Sequence, residues 1–203
     1  GAVALEQRRV RADSEAASKR RWPLPSPLNS LLIGGIVVLP ASLPILSLDA
    51  TERYIGALTF GLLEKAYEVT GDLHGQFGWK DRVQAVADVY RSLPSDERGH
   101  AVILAGWYGP AGAIDYFGSD YGLPRARSGH MTYHLWGLPE RPISTIVAAA
   151  VPEETLERLF EEVSLAAEVE IENANPWERR FPVFVCRRPK ADLHKTWPEL
   201  RRW

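Results

Sequence analysis

The residues best suited to chemistry lie together in the segment 101–137, where glycines, aromatic rings and polar groups follow a short apolar run. The run 101–105 is typical of a buried strand, and a short amphipathic helix is predicted over 111–117. Glycine at a strand-to-helix turn allows a ligand to approach closely, and the amides at a helix N-terminus suit an anion. We therefore predict a ligand-binding loop whose candidate residues are Gly106, Trp107, Tyr108, Gly109, Gly112, Asp115, Ser128, His130, Tyr133 and Trp136.

The spacing of the glycines leaves a second interpretation open. Gly106, Gly109 and Gly112 form the pattern G-x-x-G-x-x-G. This pattern is neither the dinucleotide fingerprint G-x-G-x-x-G nor a P-loop, which would require Gly-Lys-Ser/Thr. A tight strand-to-helix turn in a Rossmann-like layer would show the same glycines with nothing bound.

Catalytic and metal chemistry have weaker support. His130 and His134 are four residues apart, but no third ligand is evident nearby, and a zinc site needs three or four protein ligands. Ser128 lacks the Gly-x-Ser-x-Gly context of a nucleophile elbow, and a Ser-His-Asp triad of Ser128, His130 and Asp115 would depend on geometry that sequence does not show. We predict no catalytic residue, no metal and no cofactor, with Asp115 as a solvated carboxylate or a local loop anchor.

The aromatic residues also have two interpretations. Trp107, Tyr133 and Trp136 could stack on sugar rings, or they could face a membrane interface or the protein core.

Charge is distributed unevenly along the 203 residues. The segment 1–26 carries six basic and three acidic residues, although the whole chain has a net charge of −2. The acidic remainder has no cluster of Lys and Arg, so no nucleic-acid partner is predicted. A single cysteine, Cys186, excludes an intrachain disulfide and argues against a structural zinc site.

The segment 27–48 contains no charged residue and predicts a transmembrane helix. Its last 21 residues are about enough to cross the hydrocarbon core, and interior prolines are tolerated in membrane helices. A cleaved signal peptide and a buried hairpin of a soluble domain are the competing interpretations. The basic flank predicts that 1–26 is cytoplasmic, that membrane lipid is a partner, and that 49–203 is an extracytoplasmic domain. Because the first residue is not methionine, we also expect a fragment of a longer protein.

Helical and strand patterns alternate through the extracytoplasmic domain. A helix is predicted over 81–93 with Asp81 as its N-cap, a buried strand over 143–151, and a helix that starts at Pro152. The core face of that last helix would be Leu156, Leu159, Phe160 and Val163. Further strands are predicted over 166–171 and 181–187. This order predicts an α/β class, a Rossmann-like layered domain with a mixed, partly parallel sheet.

The central block resembles a known family. The run W-Y-G-P-A-G-A-I-D-Y-F-G-x-x-Y-G-L-P-x-x-x-S-G-H-x-x-Y-x-x-W-G over 107–137 resembles the C-terminal extracytoplasmic domain of bacterial protein-mannosyltransferase-like membrane enzymes (glycosyltransferase family 39). The motifs L-P-x-x-L-P-I-L over 39–46 and V-Y-R-S-L-P over 89–94 agree with it. The family pattern has Asn where this chain has Trp107 and Met131.

This resemblance implies a function and a location. Such enzymes are multi-span proteins of the cytoplasmic membrane that transfer a sugar from a polyprenyl-phosphate donor to an acceptor outside. Their acidic catalytic residue lies in a first external loop that this chain does not include. The chain would then be an accessory domain that contacts a polyprenyl-phosphate sugar or a glycan acceptor and partners the N-terminal multi-span region. The alternative is a membrane-tethered α/β module that binds a protein or a nucleotide without catalysis.

Overall fold

The computed structural model describes residues 26–43, 45–62, 71 and 74–203. The chain forms two compact units, Gly1–Ala66 and Tyr67–Trp203, and each is described separately below. The predicted cytoplasmic segment 1–26 lies outside the described residues except for Ser26.

The first unit contains two helices. Helix α1 spans Pro27–Ser42, where the Ser26 side chain accepts a hydrogen bond from the Asn29 amide and proline occupies the first turn. Helix α2 spans Leu48–Leu58 and begins at the N-cap Ser47. The Tyr54 hydroxyl donates to the Val37 carbonyl over 2.7 Å and joins the two helices.

Helix α1 is shorter than the predicted helix 27–48. It ends at Ser42 because Leu43, which precedes a proline, takes an extended conformation with φ −113° and ψ 144°. Its 16 residues extend about 24 Å at roughly 1.5 Å per residue, whereas a hydrocarbon core is about 30 Å thick. Among the described residues, no helix combines the length and the apolar character needed to cross a membrane.

The second unit is an α/β domain built on a five-stranded sheet. The strands are β1 (Val102–Ala105), β2 (Ala126–Arg127), β3 (Thr145–Ala149), β4 (Phe160–Glu170) and β5 (Arg180–Pro189), in the spatial order β2-β1-β3-β5-β4. Strand β1 pairs in parallel with both β2 and β3, while β5 pairs antiparallel with β3 and β4. The predicted α/β class and mixed, partly parallel sheet are therefore confirmed.

Helices cover both faces of this sheet. They are α3 (Trp79–Ser92), α4 (Ser95–Arg98), α5 (Tyr108–Phe117), α6 (Glu153–Leu159) and α7 (Leu193–Thr196). One core contains side chains of α3 and α5 against Ile103 and Ala105 of β1. The other contains Leu156 of α6 against Val102 and Leu104. Because β1 is covered on both faces, all four of its residues are apolar and buried.

Two predicted helix boundaries were wrong. Helix α3 begins at Trp79 rather than Asp81, and its N-cap is Gly78 in the left-handed conformation with φ 74°. Helix α6 ends at Leu159, and Phe160 begins β4 by pairing with Pro189. Phe160 and Val163 therefore belong to a strand, although Phe160 is buried in the core as expected.

Candidate functional site

The chain reverses its direction across the sheet at β1, because β2 lies on one side of this strand and β3 on the other. In open α/β sheets, ligands bind beyond the carboxyl ends of the strands at such a reversal. Residues 106–109 follow β1 directly, so the predicted ligand-binding loop lies at this edge.

Gly106 is required by the backbone packing at this edge. A Cβ atom there would lie 1.9 Å from the carbonyl oxygen of Ala150, the residue that follows β3. The Gly106 amide donates to the Ala149 carbonyl over 2.9 Å, and the Arg202 guanidinium donates to the Gly106 carbonyl. These contacts assign Gly106 a structural position between β1 and β3.

Gly109 makes room for two tryptophan rings. Trp107 is the N-cap of α5, and Gly109 lies in the first turn of that helix. A Cβ atom on Gly109 would lie 2.7 Å from Trp107 Nε1 and 3.1 Å from Trp79 Cη2. The absence of a side chain at this position therefore lets the rings from α3 and from the α5 N-terminus pack closely.

These rings form part of an aromatic cleft of about 580 Å³. A volume of this size falls within the range of roughly 300–1,000 Å³ that small-molecule sites occupy. The cleft combines the N-terminus of α3, the N-terminus of α5 and the loop between β4 and β5. Its lining residues are Gly71, Gly75, Gln76, Trp79, Trp107, Tyr108, Gly109, Asn175, Trp177 and Glu178.

Two polar side chains of the β4–β5 loop lie in the cleft lining. Asn175 is only 5% exposed, and its Nδ2 donates to the Glu178 carboxylate over 3.2 Å. Because a carboxylate only accepts, this contact fixes the amide orientation with Nδ2 toward Glu178 and Oδ1 on the opposite side. Asn175 Oδ1 is buried and has no hydrogen-bond partner in the described part of the chain. Asn175 Oδ1 lies 3.8 Å from the position that a Cβ on Gly71 would occupy.

A buried arginine lies behind the cleft. The Arg82 guanidinium carbon is 4.6 Å from the Trp79 ring centre and 5.7 Å from that of Phe181. Its Nη2 donates to the Glu178 carbonyl over 2.8 Å, whereas its buried Nε and Nη1 have no partner among the residues that the structure describes. Burial lowers the pKa of Arg82, and the Glu178 and Asp81 carboxylates oppose this shift. Arg82 therefore links α3, β5 and the loop that supplies Glu178.

Asp115 is the local anchor that the sequence suggested as one possibility. Its side chain is 14% exposed and accepts from the Ala126 amide over 2.8 Å. The Tyr133 hydroxyl donates to it over 3.4 Å, and Arg125 lies 4.0 Å away. Burial, followed by the Asp115 charge, raises the pKa of Tyr133. Asp115 thus ties α5 to β2 and to the 3₁₀ helix Met131–Trp136.

The remaining candidates surround the cleft or lie apart from it. Tyr108, in the lining, stacks on His130 with ring centres 5.3 Å apart. Trp136 packs edge-on against Tyr133, and Gly112 lies near the Tyr133 hydroxyl, 3.7 Å from where a Cβ would be. Of the ten predicted residues, only Trp107, Tyr108 and Gly109 line the cleft.

The geometry does not assemble a Ser-His-Asp triad. Ser128 is buried and its hydroxyl accepts from the backbone amide of His130. The His130 Nδ1 atom is buried and has no hydrogen-bond partner within the described ranges, and Asp115 is engaged by Ala126 and Tyr133. In the described part of the chain, no group of three or more His, Cys, Asp or Glu residues could hold a metal ion.

Sequence reasoning missed the rest of the cleft lining. Trp79 lies before the helix predicted over 81–93, and Asn175, Trp177 and Glu178 lie between the strands predicted over 166–171 and 181–187. The available signal was Trp177, an aromatic residue in an otherwise polar loop, which is 70% exposed in the structure.

No significant match to a protein family, to a curated protein or to a solved structure is found for this chain.

Proposed function

We propose that this chain is the C-terminal accessory domain of a membrane glycosyltransferase, and that its aromatic cleft binds a sugar ring of the substrate. The parent enzyme would transfer a sugar from a polyprenyl-phosphate donor to an extracytoplasmic acceptor. The catalytic acid of that enzyme would lie in the upstream multi-span region, as the family resemblance implies.

The aromatic cleft is the observation that carries this proposal. Sugar rings combine flat apolar faces with hydroxyl groups at their edges, and sites for such ligands pair aromatic surfaces with a few placed polar groups. Trp79, Trp107 and Trp177 supply the aromatic surface, and Asn175 and Glu178 supply the polar groups. We also propose that the α/β domain is Rossmann-like, and the reversal of strand order at β1 supports this part of the proposal.

The N-terminal helix supports the proposed location at the cytoplasmic membrane with the α/β domain outside. Helix α1 has no buried residue, and its large apolar side chains are exposed: Leu31 by 76% and Ile36 by 71%. Exposed apolar surface of this extent marks contact with lipid or another protein. Membrane lipid and the upstream multi-span region are the partners that we assign to it.

Fluorine NMR of the whole chain in lipid nanodiscs would test the sugar-binding role. All seven tryptophans are replaced by 5-fluorotryptophan, and the signals are assigned with single Trp→Phe variants. We expect neutral oligosaccharides to shift the signals of Trp79, Trp107 and Trp177. The signal of Trp197, which is buried in the other core, should stay in place and serves as the internal control.

Two results would count against the accessory role. If no oligosaccharide and no polyprenyl phosphate moves the three cleft signals, the cleft is not a glycosyltransferase subsite. If only a nucleotide moves them, the chain is a membrane-tethered nucleotide-binding module instead.

A further inference from the structure

We propose that a second cavity, at the carboxyl ends of β1 and β3, binds a phosphoryl group. Arg158, Arg202 and the Thr155 hydroxyl would hold its oxygens, and Glu199 would accept its proton. The ligand class is therefore a phosphate that carries a P–OH group, either inorganic phosphate or a phosphate monoester. Among the described residues, this cavity shares no lining residue with the aromatic cleft, so the site does not depend on the sugar-binding role.

The cavity lies where two neighbouring parallel strands continue to opposite faces of the sheet. Helix α5 follows β1 and packs on the face of Ile103, whereas α6 follows β3 and packs on the face of Leu104. A crevice between two such connections, beyond the carboxyl ends of the strands, is the usual ligand site of an open α/β sheet. Gly106 after β1 and Val151 and Pro152 after β3 line the cavity.

Two glycines let backbone segments close around this cavity. A Cβ on Gly106 would lie 1.9 Å from the Ala150 carbonyl oxygen, and a Cβ on Gly129 would lie 2.1 Å from the Leu200 carbonyl oxygen. The C-terminal segment crosses Gly129 closely enough for the Arg202 amide to donate to the Gly129 carbonyl over 2.8 Å. The Arg202 guanidinium donates to the Gly106 carbonyl, which holds this cation beside the strand ends.

The polar side chains of the lining suit a phosphate. Arg158 and Arg202 supply two guanidinium groups, and Thr155 supplies a hydroxyl from the same helix as Arg158. Guanidinium groups bind phosphate oxygens through charge-assisted hydrogen bonds. The cavity measures about 100 Å³, below the roughly 300–1,000 Å³ of sites for whole small molecules, so it suits one small group.

Glu199 determines which phosphates fit. It is the one carboxylate among the described residues of the lining, so two guanidinium groups and one carboxylate leave one positive charge. Within the described ranges, neither Arg158 nor Glu199 forms an ion pair or a side-chain hydrogen bond. A carboxylate only accepts hydrogen bonds, so a ligand oxygen next to Glu199 needs a proton. A phosphate monoester supplies this proton below its second pKa of about 6, whereas sulfate and phosphodiesters have none to donate.

Isothermal titration of the whole chain in nanodiscs of a zwitterionic lipid tests the site at about pH 6. We expect inorganic phosphate to bind with a Kd of about 1 mM or tighter, and sulfate to bind at least about tenfold more weakly. Glycerol phosphate in solution and polyprenyl monophosphate placed in the nanodisc then compete with inorganic phosphate. Competition by the lipid identifies a lipid-borne ligand and competition by glycerol phosphate alone identifies a soluble one, and either result supports the site.

Three variants locate the binding. Arg158→Gln should weaken phosphate binding by about tenfold or more, because it removes one guanidinium from the lining. The matched control is Arg201→Gln, which removes the same charge from a side chain that lies over the Trp203 ring and outside the lining, and it should bind within about twofold of the wild type. Glu199→Gln should bring phosphate and sulfate within about threefold of each other, because its amide can donate to an oxygen without a proton. Circular dichroism and thermal unfolding verify that each variant is folded.

Three results would each overturn this site. They are a phosphate Kd weaker than about 1 mM, sulfate binding as tightly as phosphate, and equal losses of affinity in Arg158→Gln and Arg201→Gln. The sugar-binding role would survive all three, because it is measured separately on the signals of the cleft tryptophans.

Discussion

Gly106, Gly109 and Gly112 are evenly spaced in the sequence but serve three different purposes. At Gly106 a Cβ would collide with the Ala150 backbone, and at Gly109 it would collide with two tryptophan side chains. At Gly112 the nearest atom would be the Tyr133 hydroxyl at 3.7 Å, an ordinary contact distance. The spacing alone gives no hint of this difference, because it depends on which segments pack against the turn.

Alanine substitutions should rank these three positions. We expect Gly106→Ala to lower the free energy of unfolding by about 3 kcal/mol or more, because backbone cannot yield as a side chain can. Gly112→Ala lies inside α5 and should be neutral or stabilise the protein by up to about 1 kcal/mol. Gly109→Ala should fold but lose sugar binding as the rings of Trp107 and Trp79 are pushed apart. Urea unfolding followed by circular dichroism measures the first two effects.

A Gly106→Ala variant as stable as Gly112→Ala would contradict the packing described for β1 and β3. If Gly109→Ala lost stability but kept sugar binding, Gly109 would not shape the cleft as described.

At the residue scale, sequence reasoning reached the part of the cleft lining whose structural cause is local. Trp107, Tyr108 and Gly109 were predicted because a strand, a turn and a helix follow one another within a few residues. Asn175 and Trp177 could not be predicted, because their place opposite Trp107 arises from the packing of a loop 68 residues further along the chain. Asp115 was offered as a loop anchor, and its bonds to Ala126 and Tyr133 agree with that role.

Among the helices and strands, α1 is unusual because its surface is both apolar and exposed. It carries no charge over Pro27–Ser42 and buries none of its residues within the described chain. A soluble amphipathic helix would show a polar face, which this helix lacks.

Lysine substitutions on α1 should therefore test whether the centre of this helix is buried in lipid or whether the helix is only a tether that stays outside the lipid. Ile36→Lys puts a charge in the middle of the helix, where it costs about 2.5–3.5 kcal/mol in lipid. We expect it to weaken binding to anionic liposomes by tenfold or more in a flotation assay. The matched control is Asn29→Lys, which adds the same charge near the helix start and should float as the wild type does. Equal flotation of both variants would rule out burial of the helix centre in lipid.

The elements also show which patterns are ambiguous in sequence. The buried strand near 101–105 was predicted correctly because an apolar run bounded by polar turns has few alternatives. The helix predicted beyond Leu159 was wrong because Leu156, Leu159, Phe160 and Val163 also fit the start of an alternating strand. The segment Phe160–Glu170 is a strand because it pairs with β5, and this pairing is a long-range property that the local pattern does not contain.

Across the whole domain, β5 is the strand that lies between β3 and β4 and pairs antiparallel with both of them. Cys186 lies on it, opposite Ile146 of β3 and Val163 of β4, and is fully buried. Burial raises the pKa of the Cys186 thiol to about 12. The unfolded thiol ionises at a much lower pH, near 8.5.

This difference predicts a pH dependence of global stability. Because the folded pKa is raised, the contribution of the thiol is fully present below about pH 8.5 and is lost as the pH rises toward 12. Between pH 9 and 10, the wild type should lose about 1.2 kcal/mol of unfolding free energy relative to Cys186→Ala, which has no thiol to titrate. Urea unfolding of both proteins at each pH gives the comparison.

A thiol reagent provides the control for that measurement. At pH 8 without denaturant, Cys186 should react only as fast as the sheet opens. Rapid labelling of the folded chain, or parallel pH profiles of the two proteins, would contradict a buried thiol.

The position of Arg82 has a consequence for biosynthesis. Its guanidinium lies over Trp79, but the carbonyl and the second ring that complete its surroundings belong to Glu178 and Phe181. A nascent chain that ends before residue 178 has neither of them, and the β4–β5 loop that completes the cleft is translated about 70 residues after Trp107 and about 100 residues after Trp79. The cleft is therefore complete only after the β4–β5 hairpin has been translated and has packed against α3 and α5.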